Sequence, residues 1–212
     1  MQRLTEIALE RAPGGVFTRP DVSLWVGGSP DRQWSIVKRA LSAREILRVH
    51  RGLYCLAGRY LRRPPDPLVL AQRIHGPSYV SFETALSFHG LIPEAVYTVT
   101  SACLDRAREF DTPIGRFSYT RVPWKTLFVD VMRVEREDRN SFFVASPLKA
   151  LADYVQVRRC DWRSLRPVVE SLRIDEEALP GLAAGAFDSL LANTTSRRVR
   201  RFLAGLRKDL EG

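Results

Sequence analysis

The chain has 212 residues, 45% hydrophobic and 27% charged, enough for one large domain or two small ones around a core of ordinary size. Its formal charge of +9 is unevenly placed: residues 1–63 carry 12 Lys and Arg against 5 Asp and Glu, whereas residues 64–212 carry 21 against 19. A basic excess confined to the first third favours a polyanion as the partner of that third. The cysteines, Cys55, Cys103 and Cys160, are odd in number and scattered. With no CxxC pair and no Cys/His ligand cluster they indicate neither a disulfide framework nor a zinc site, and they suit free thiols in a reducing cytoplasm. No apolar run approaches the ~20 residues that span a bilayer. The opening MQRLTEIALERAPGG has acids within its apolar pattern, so it reads as a helix and not as a signal peptide.

In chain order, Leu4, Ile7, Ala8 and Arg11 share helical spacing, and Gly14-Gly15 stops that helix. Thr18 and Asp21 form a capping-box pair that opens a second helix, with Val22, Trp25 and Val26 as its inward stripe. Gly27-Gly28 ends it. Ser29 then caps a third helix, with Pro30 at the first position, where a missing N–H costs nothing. Trp34, Val37 and Leu41 are its expected buried face. Arg32, Ser35, Arg39 and Ser42 fall opposite, flanked by Asp31 and Lys38. Residues 46–49 and 53–57 read as two strands joined by a tight turn in which Gly52 takes positive φ. Helix, turn, helix and hairpin, with cations left outside, is the order of a winged helix-turn-helix.

RRPPDP, residues 62–67, reads as a linker, because proline removes donors and favours extended backbone. It divides the chain into 1–61 and 68–212. The second part is mixed. Residues 81–89 read as a short helix stopped by Gly90. Segments 96–101, 117–122, 127–132 and 142–145 are rich in β-branched and aromatic residues and read as strands. Ser146-Pro147 repeats the cap-and-start signal, with Leu148, Leu151, Ala152 and Val155 turned inward. From Trp162 onward the pattern is helical, broken at Pro180-Gly181 and near Asn193. The expected fold class is α+β: a winged helix-turn-helix, then a mixed α/β domain with a helical C-terminus.

Candidate DNA contacts follow from the outward residues. Arg32, Ser35, Lys38 and Arg39 on the third helix suit the major groove, where arginine forks onto guanine and serine bonds bases or phosphates. Arg48, His50 and Arg51 at the hairpin tip suit phosphate or the minor groove. The plainer reading of each group is a solvated basic face, and the ordered set of turn, capped helix and hairpin tips the balance towards DNA. The helix 196–210 carries Arg197, Arg198, Arg200, Arg201, Arg207 and Lys208, and reads as a docked terminal helix with a solvated basic side. Signs of catalysis are lacking. There is no GxxxxGK[ST], HExxH or GxSxG, and no acid pair followed by an acid-x-Lys triplet. His50, His75 and His89 lack ligand spacing. His89, beside Gly90, reads as a capping or core histidine. Glu83 and Asp153 read as lone carboxylates that cap or pair locally. No catalytic residue, metal ligand or cofactor site is assigned.

RVHRGLYCLAG, YVSFETALSFHGLIPEAVYTVTS, FDTPIGRFSYTRVP and FFVASPLKALADYV occur in this order along nearly the whole chain. Together they resemble the AbiEi-type antitoxins of abortive-infection, type IV toxin–antitoxin systems. The resemblance implies a cytoplasmic, non-enzymatic protein that binds inverted repeats at its own promoter. It also implies that residues 68–212 antagonise a cognate nucleotidyltransferase toxin, without need of a stable complex. The family's DNA-reading positions fall here on Arg32, Ser35, Lys38, Arg39, Arg48, His50 and Arg51. Paired half-sites require two copies, as a weak dimer or as monomers placed together on DNA. The rival readings are a stand-alone winged-helix regulator that responds to a small ligand and, more remotely, a nuclease guided by the winged helix.

Overall fold

The computed structural model describes all residues except 94, 95, 138, 139, 175–181, 183–185 and 212. It is a mixed α and β protein with two sheets. The first 61 residues form α1 (Arg3–Arg11), β1 (Val16–Thr18), α2 (Arg19–Val26), α3 (Pro30–Ser42), β2 (Ile46–His50) and β3 (Leu53–Leu56). Their local causes are those the sequence carries. Thr18 and Asp21 make a reciprocal capping box at α2, Ser29 Oγ accepts from the Arg32 N–H at α3, and Gly52 turns at φ 76°. β1 completes a three-stranded sheet of order β1-β3-β2, all antiparallel. No periodicity announces a three-residue strand, so the sequence does not reveal it.

That sheet is buried on both sides, and alternation sorts its residues. Phe17, Tyr54, Ile46 and Leu56 pack with Leu4, Ala8, Val22, Ile36, Val37 and Ala40 of the three helices. Val16, Val49, Leu53 and Cys55 belong instead to the core of the rest of the chain. This is why β3, LYCL, is buried at every position. α3 packs one step further round than its sequence pattern suggests. Ile36, Val37 and Ala40 are buried, Leu41 is partly buried, and Trp34, expected inside, is 50% exposed. Two buried residues follow one another at 36 and 37, and they centre the contact away from position 34.

The remainder begins earlier than the linker reading implies. Pro67 is the first residue of α4 (Pro67–Ile74), capped by Asp66, so the stretch without helix or strand ends at 66. β4 (Ser78–Val80), α5 (Phe82–Phe88), β5 (Thr98–Cys103), β6 (Arg108–Thr112), β7 (Gly115–Arg121), β8 (Val131–Glu135) and β9 (Ser141–Ala145) follow. They build a six-stranded mixed sheet of order β6-β7-β5-β4-β9-β8, in which β5 with β7 and β4 with β9 run parallel. The strand expected at 127–132 is displaced: 127–130 are turns, and pairing starts at Val131. β4 is too short to read from sequence, and β6 (REFDT) too polar. α6 (Pro147–Val157), α7 (Arg166–Leu172), α8 (Phe187–Asn193) and α9 (Arg197–Glu211) complete the chain. α9 docks on α6 and α8 through Val199, Phe202, Leu203 and Leu206. The expected break at Pro180-Gly181 lies outside the described residues. No helix among the described residues is long and apolar enough to cross a membrane.

Candidate nucleic-acid interface

α3 and the β2–β3 hairpin stand on one side of the first module, and specific bonds hold them there. Gln33 Nε2 donates to Ser23 Oγ at 3.2 Å and to the Gly28 carbonyl at 3.1 Å, fixing α3 against the end of α2. The Arg19 N–H donates to the Gly52 carbonyl at 2.8 Å, pinning the hairpin turn to the start of α2. Between these elements lies a cleft of about 590 Å³. Its lining includes the buried Val22, Val37 and Tyr54, the half-exposed Trp34, and the exposed Arg19, Arg48 and Arg51. Asp31, in the first turn of α3, is the one acid in the lining.

Arg32, Ser35, Lys38 and Arg39 are all exposed on α3, as expected. They do not form one cluster. Ser35 and Lys38 sit at the outward crest with Asp31, Trp34 flanks them on the hairpin side, and Arg32 and Arg39 flank them on the other side. Arg32 arches over the Gly28 turn, so that a Cβ at Gly28 would lie 3.1 Å from its Cδ. Ser35 Oγ donates to the Asp31 carbonyl at 2.8 Å, which leaves its lone pairs free to accept. Arg48 and Arg51 are exposed beside the cleft.

His50 does not join them. A register shift between Arg48 and His50 turns the imidazole towards β6, where it sits edge-on to Phe110 at 4.9 Å. Burial, then Arg48, His75 and Arg108, hold it below the usual histidine value. Two residues missing from the sequence reading belong at the cleft. Arg19 sits inside the capping motif that the sequence displays, and Trp34 has the helical spacing of a core residue.

The charges of this face are unspent. Among the described residues, Arg19, Arg32, Lys38, Arg39, Arg48 and Arg51 make no ion pair and no side-chain hydrogen bond. Elsewhere many cations are matched, Arg116 with Asp111, Arg136 with Asp66, Arg158 with Glu83, Arg166 with Glu170 and Arg207 with Asp188, although Arg106, Arg121, Arg197, Arg198 and Lys208 also make no ion pair among the described residues. Among the described residues, every side chain that supplies the cation of an ion pair lies at position 63 or beyond. Six exposed cations held without counter-charge around a helix and a hairpin make a field that favours a polyanion.

The other candidates have settled local duties. Glu83 pairs with Arg158. His89 ends α5 and its Nε2 lies 2.8 Å from the Ala145 carbonyl oxygen. Asp153 is fully buried and accepts from Tyr79, Ser81 and Trp124. Cys55 and Cys103 are buried and Cys160 is partly so; burial pushes the Cys55 thiol up to about 11. Among the described residues, no three His, Cys, Asp or Glu side chains are grouped to hold a metal ion. No protein-family model matches the chain, and no curated protein matches it either.

Proposed function

We propose that residues 1–61 form a winged helix-turn-helix that binds duplex DNA, with α3 in the major groove and the β2–β3 hairpin as the wing. The observation that supports this reading is the set of six exposed cations that make no ion pair among the described residues, five on α3 and the hairpin and Arg19 at the start of α2, to which both are bonded. In this reading phosphate contacts dominate affinity, and α3 sets the register through Ser35, Lys38 and its flanking arginines. The chain then acts as an AbiEi-type antitoxin. It represses its own operon at inverted repeats, and residues 68–212 antagonise a nucleotidyltransferase toxin in the cytoplasm. That part rests on the resemblance of the four quoted segments to that family. It is a binding role, and no catalytic constellation is assigned.

A salt titration of duplex binding tests the first claim. With about four phosphates neutralised per copy, log K falls against log salt with a slope near −3.6 per copy. Binding that ignores salt sinks the proposal. Co-expression of the chain with a nucleotidyltransferase toxin encoded beside it tests the second: growth arrest that persists, or the lack of such a neighbouring gene, removes the antitoxin role while leaving DNA binding intact.

A further inference from the structure

The cleft beside α3 carries one step more, which rests on the duplex reading above. Trp34 is half exposed, and its indole makes no ring contact or side-chain hydrogen bond among the described residues. Its exposure gains meaning from its place, because it forms part of the lining of the cleft with the apolar Val22, Val37 and Tyr54. Its neighbours explain what could cover it. Arg19, Arg48 and Arg51 surround the same cleft and would grip the phosphates of a passing strand. A strand held there turns its base edges towards α3. Among those edges in the major groove the C5-methyl of thymine is the one methyl group. The face of the indole offers no hydrogen bond to a polar edge, so an apolar methyl is the group that suits it.

We propose that Trp34 packs on a thymine methyl and so sets a preference for A·T at one position of the bound site. The half-exposed indole, the apolar floor of Val22, Val37 and Tyr54, and the three unpaired guanidinium groups make one binding surface for a thymidine-bearing strand.

The test uses the full chain. Duplexes enriched by wild-type protein from a random pool are synthesised again with deoxyuridine in place of thymidine. This change removes methyl groups and leaves charge and pairing alone. Fluorescence anisotropy at fixed salt then compares the two. Wild type is expected to bind the uracil duplex roughly fourfold more weakly per contacted thymine, the factor that one buried methyl gives. Its salt slope should not change. Trp34→Ala should bind both duplexes equally and more weakly than wild type binds the thymine form. Equal binding of both duplexes by wild type overturns the inference, whether the indole covers a sugar or nothing. So does discrimination that survives in Trp34→Ala. Methyl-blind binding leaves the duplex proposal standing, whereas failure to enrich any duplex ends both.

Discussion

Asp153 shows what one side chain can hold together. It lies on α6 with no exposure, and its carboxylate accepts from Tyr79 and Ser81, each at 2.7 Å, and from the Trp124 indole. Burial pushes its pKa up, and the three donors oppose that. Lys149, one turn earlier, is equally buried. Its Nζ lies 3.5 Å from the Trp124 ring centroid and has no hydrogen-bond partner among the described residues. Burial pulls that ammonium down to about 8. Asp153→Ala would strand three donors and remove the nearest counter-charge to Lys149. The expected loss is about 3–5 kcal/mol, read from urea unfolding. Asp153→Asn keeps an acceptor and should cost less; equal costs would mean that charge, not hydrogen bonding, is what the cluster needs. At the interface, Arg39→Ala should cost roughly 1–3 kcal/mol and relax one base position if Arg39 reads a base. A variant that binds like wild type in a gel shift removes Arg39 from the readers.

Between elements, two contacts set the geometry. α9 passes so close to the loop between α6 and α7 that a Cβ on Gly205 would lie 1.8 Å from the Arg163 carbonyl oxygen. Gly205→Ala must part the helix from that loop, at about 1–3 kcal/mol for such overpacking. A melting temperature equal to wild type would show that the loop simply yields. The second contact joins β2 to β6. His50 and His75 both meet Phe110, and His75 also packs edge-on to Tyr119 at 5.0 Å. Both imidazoles are held below the ordinary value near 6.5. For His50 burial comes first, then the charges of Arg48, His75 and Arg108; for His75 burial and Arg108 outweigh Asp105. The unfolded chain therefore takes up protons first as pH falls. Stability is fully present above about pH 6.5 and is lost as pH drops towards the depressed native values. Thermal midpoints should fall between pH 7.5 and 5.5. The double variant His50→Gln, His75→Gln should shrink that fall without removing it, since burial also lowers His89. An unchanged pH profile in the double variant would place the effect elsewhere.

Across the whole molecule, the small sheet is a shared wall. Its one face serves the helices of the first module and its other face serves the large core. Arg73 of α4 adds a clasp, donating to the Val16 carbonyl at 3.4 Å and to Asn140 Oδ1 at 2.7 Å. Cutting the chain at residue 61 would expose Val16, Val49, Leu53 and Cys55 together. The isolated fragment is therefore expected to unfold at lower denaturant than the same region in the full chain, as followed by hydrogen exchange of β3. Equal protection would mean that the wall stands without its second side. The same wall fixes the direction of the cationic face, because the side of the sheet that meets the large core cannot also meet DNA.

Much of the first module is written locally. Thr18 with Asp21, Ser29 with Pro30, and Gly52 specify caps and a turn from residues within a few positions, and those bonds form as their spacing demands. The exposure of Arg32, Ser35, Lys38 and Arg39 follows equally from helical period. What the sequence left undecided depends on partners far along the chain. Asp153 reads as a lone carboxylate because its donors lie 29 to 74 residues away. His50 reads as a wing residue because nothing near it in sequence announces Phe110. Trp34 reads as core because an indole at helical spacing normally is, and only the packing of Ile36 and Val37 turns it outward into the cleft. Local bonding is encoded by neighbours in the chain, whereas burial is decided by which distant surfaces meet.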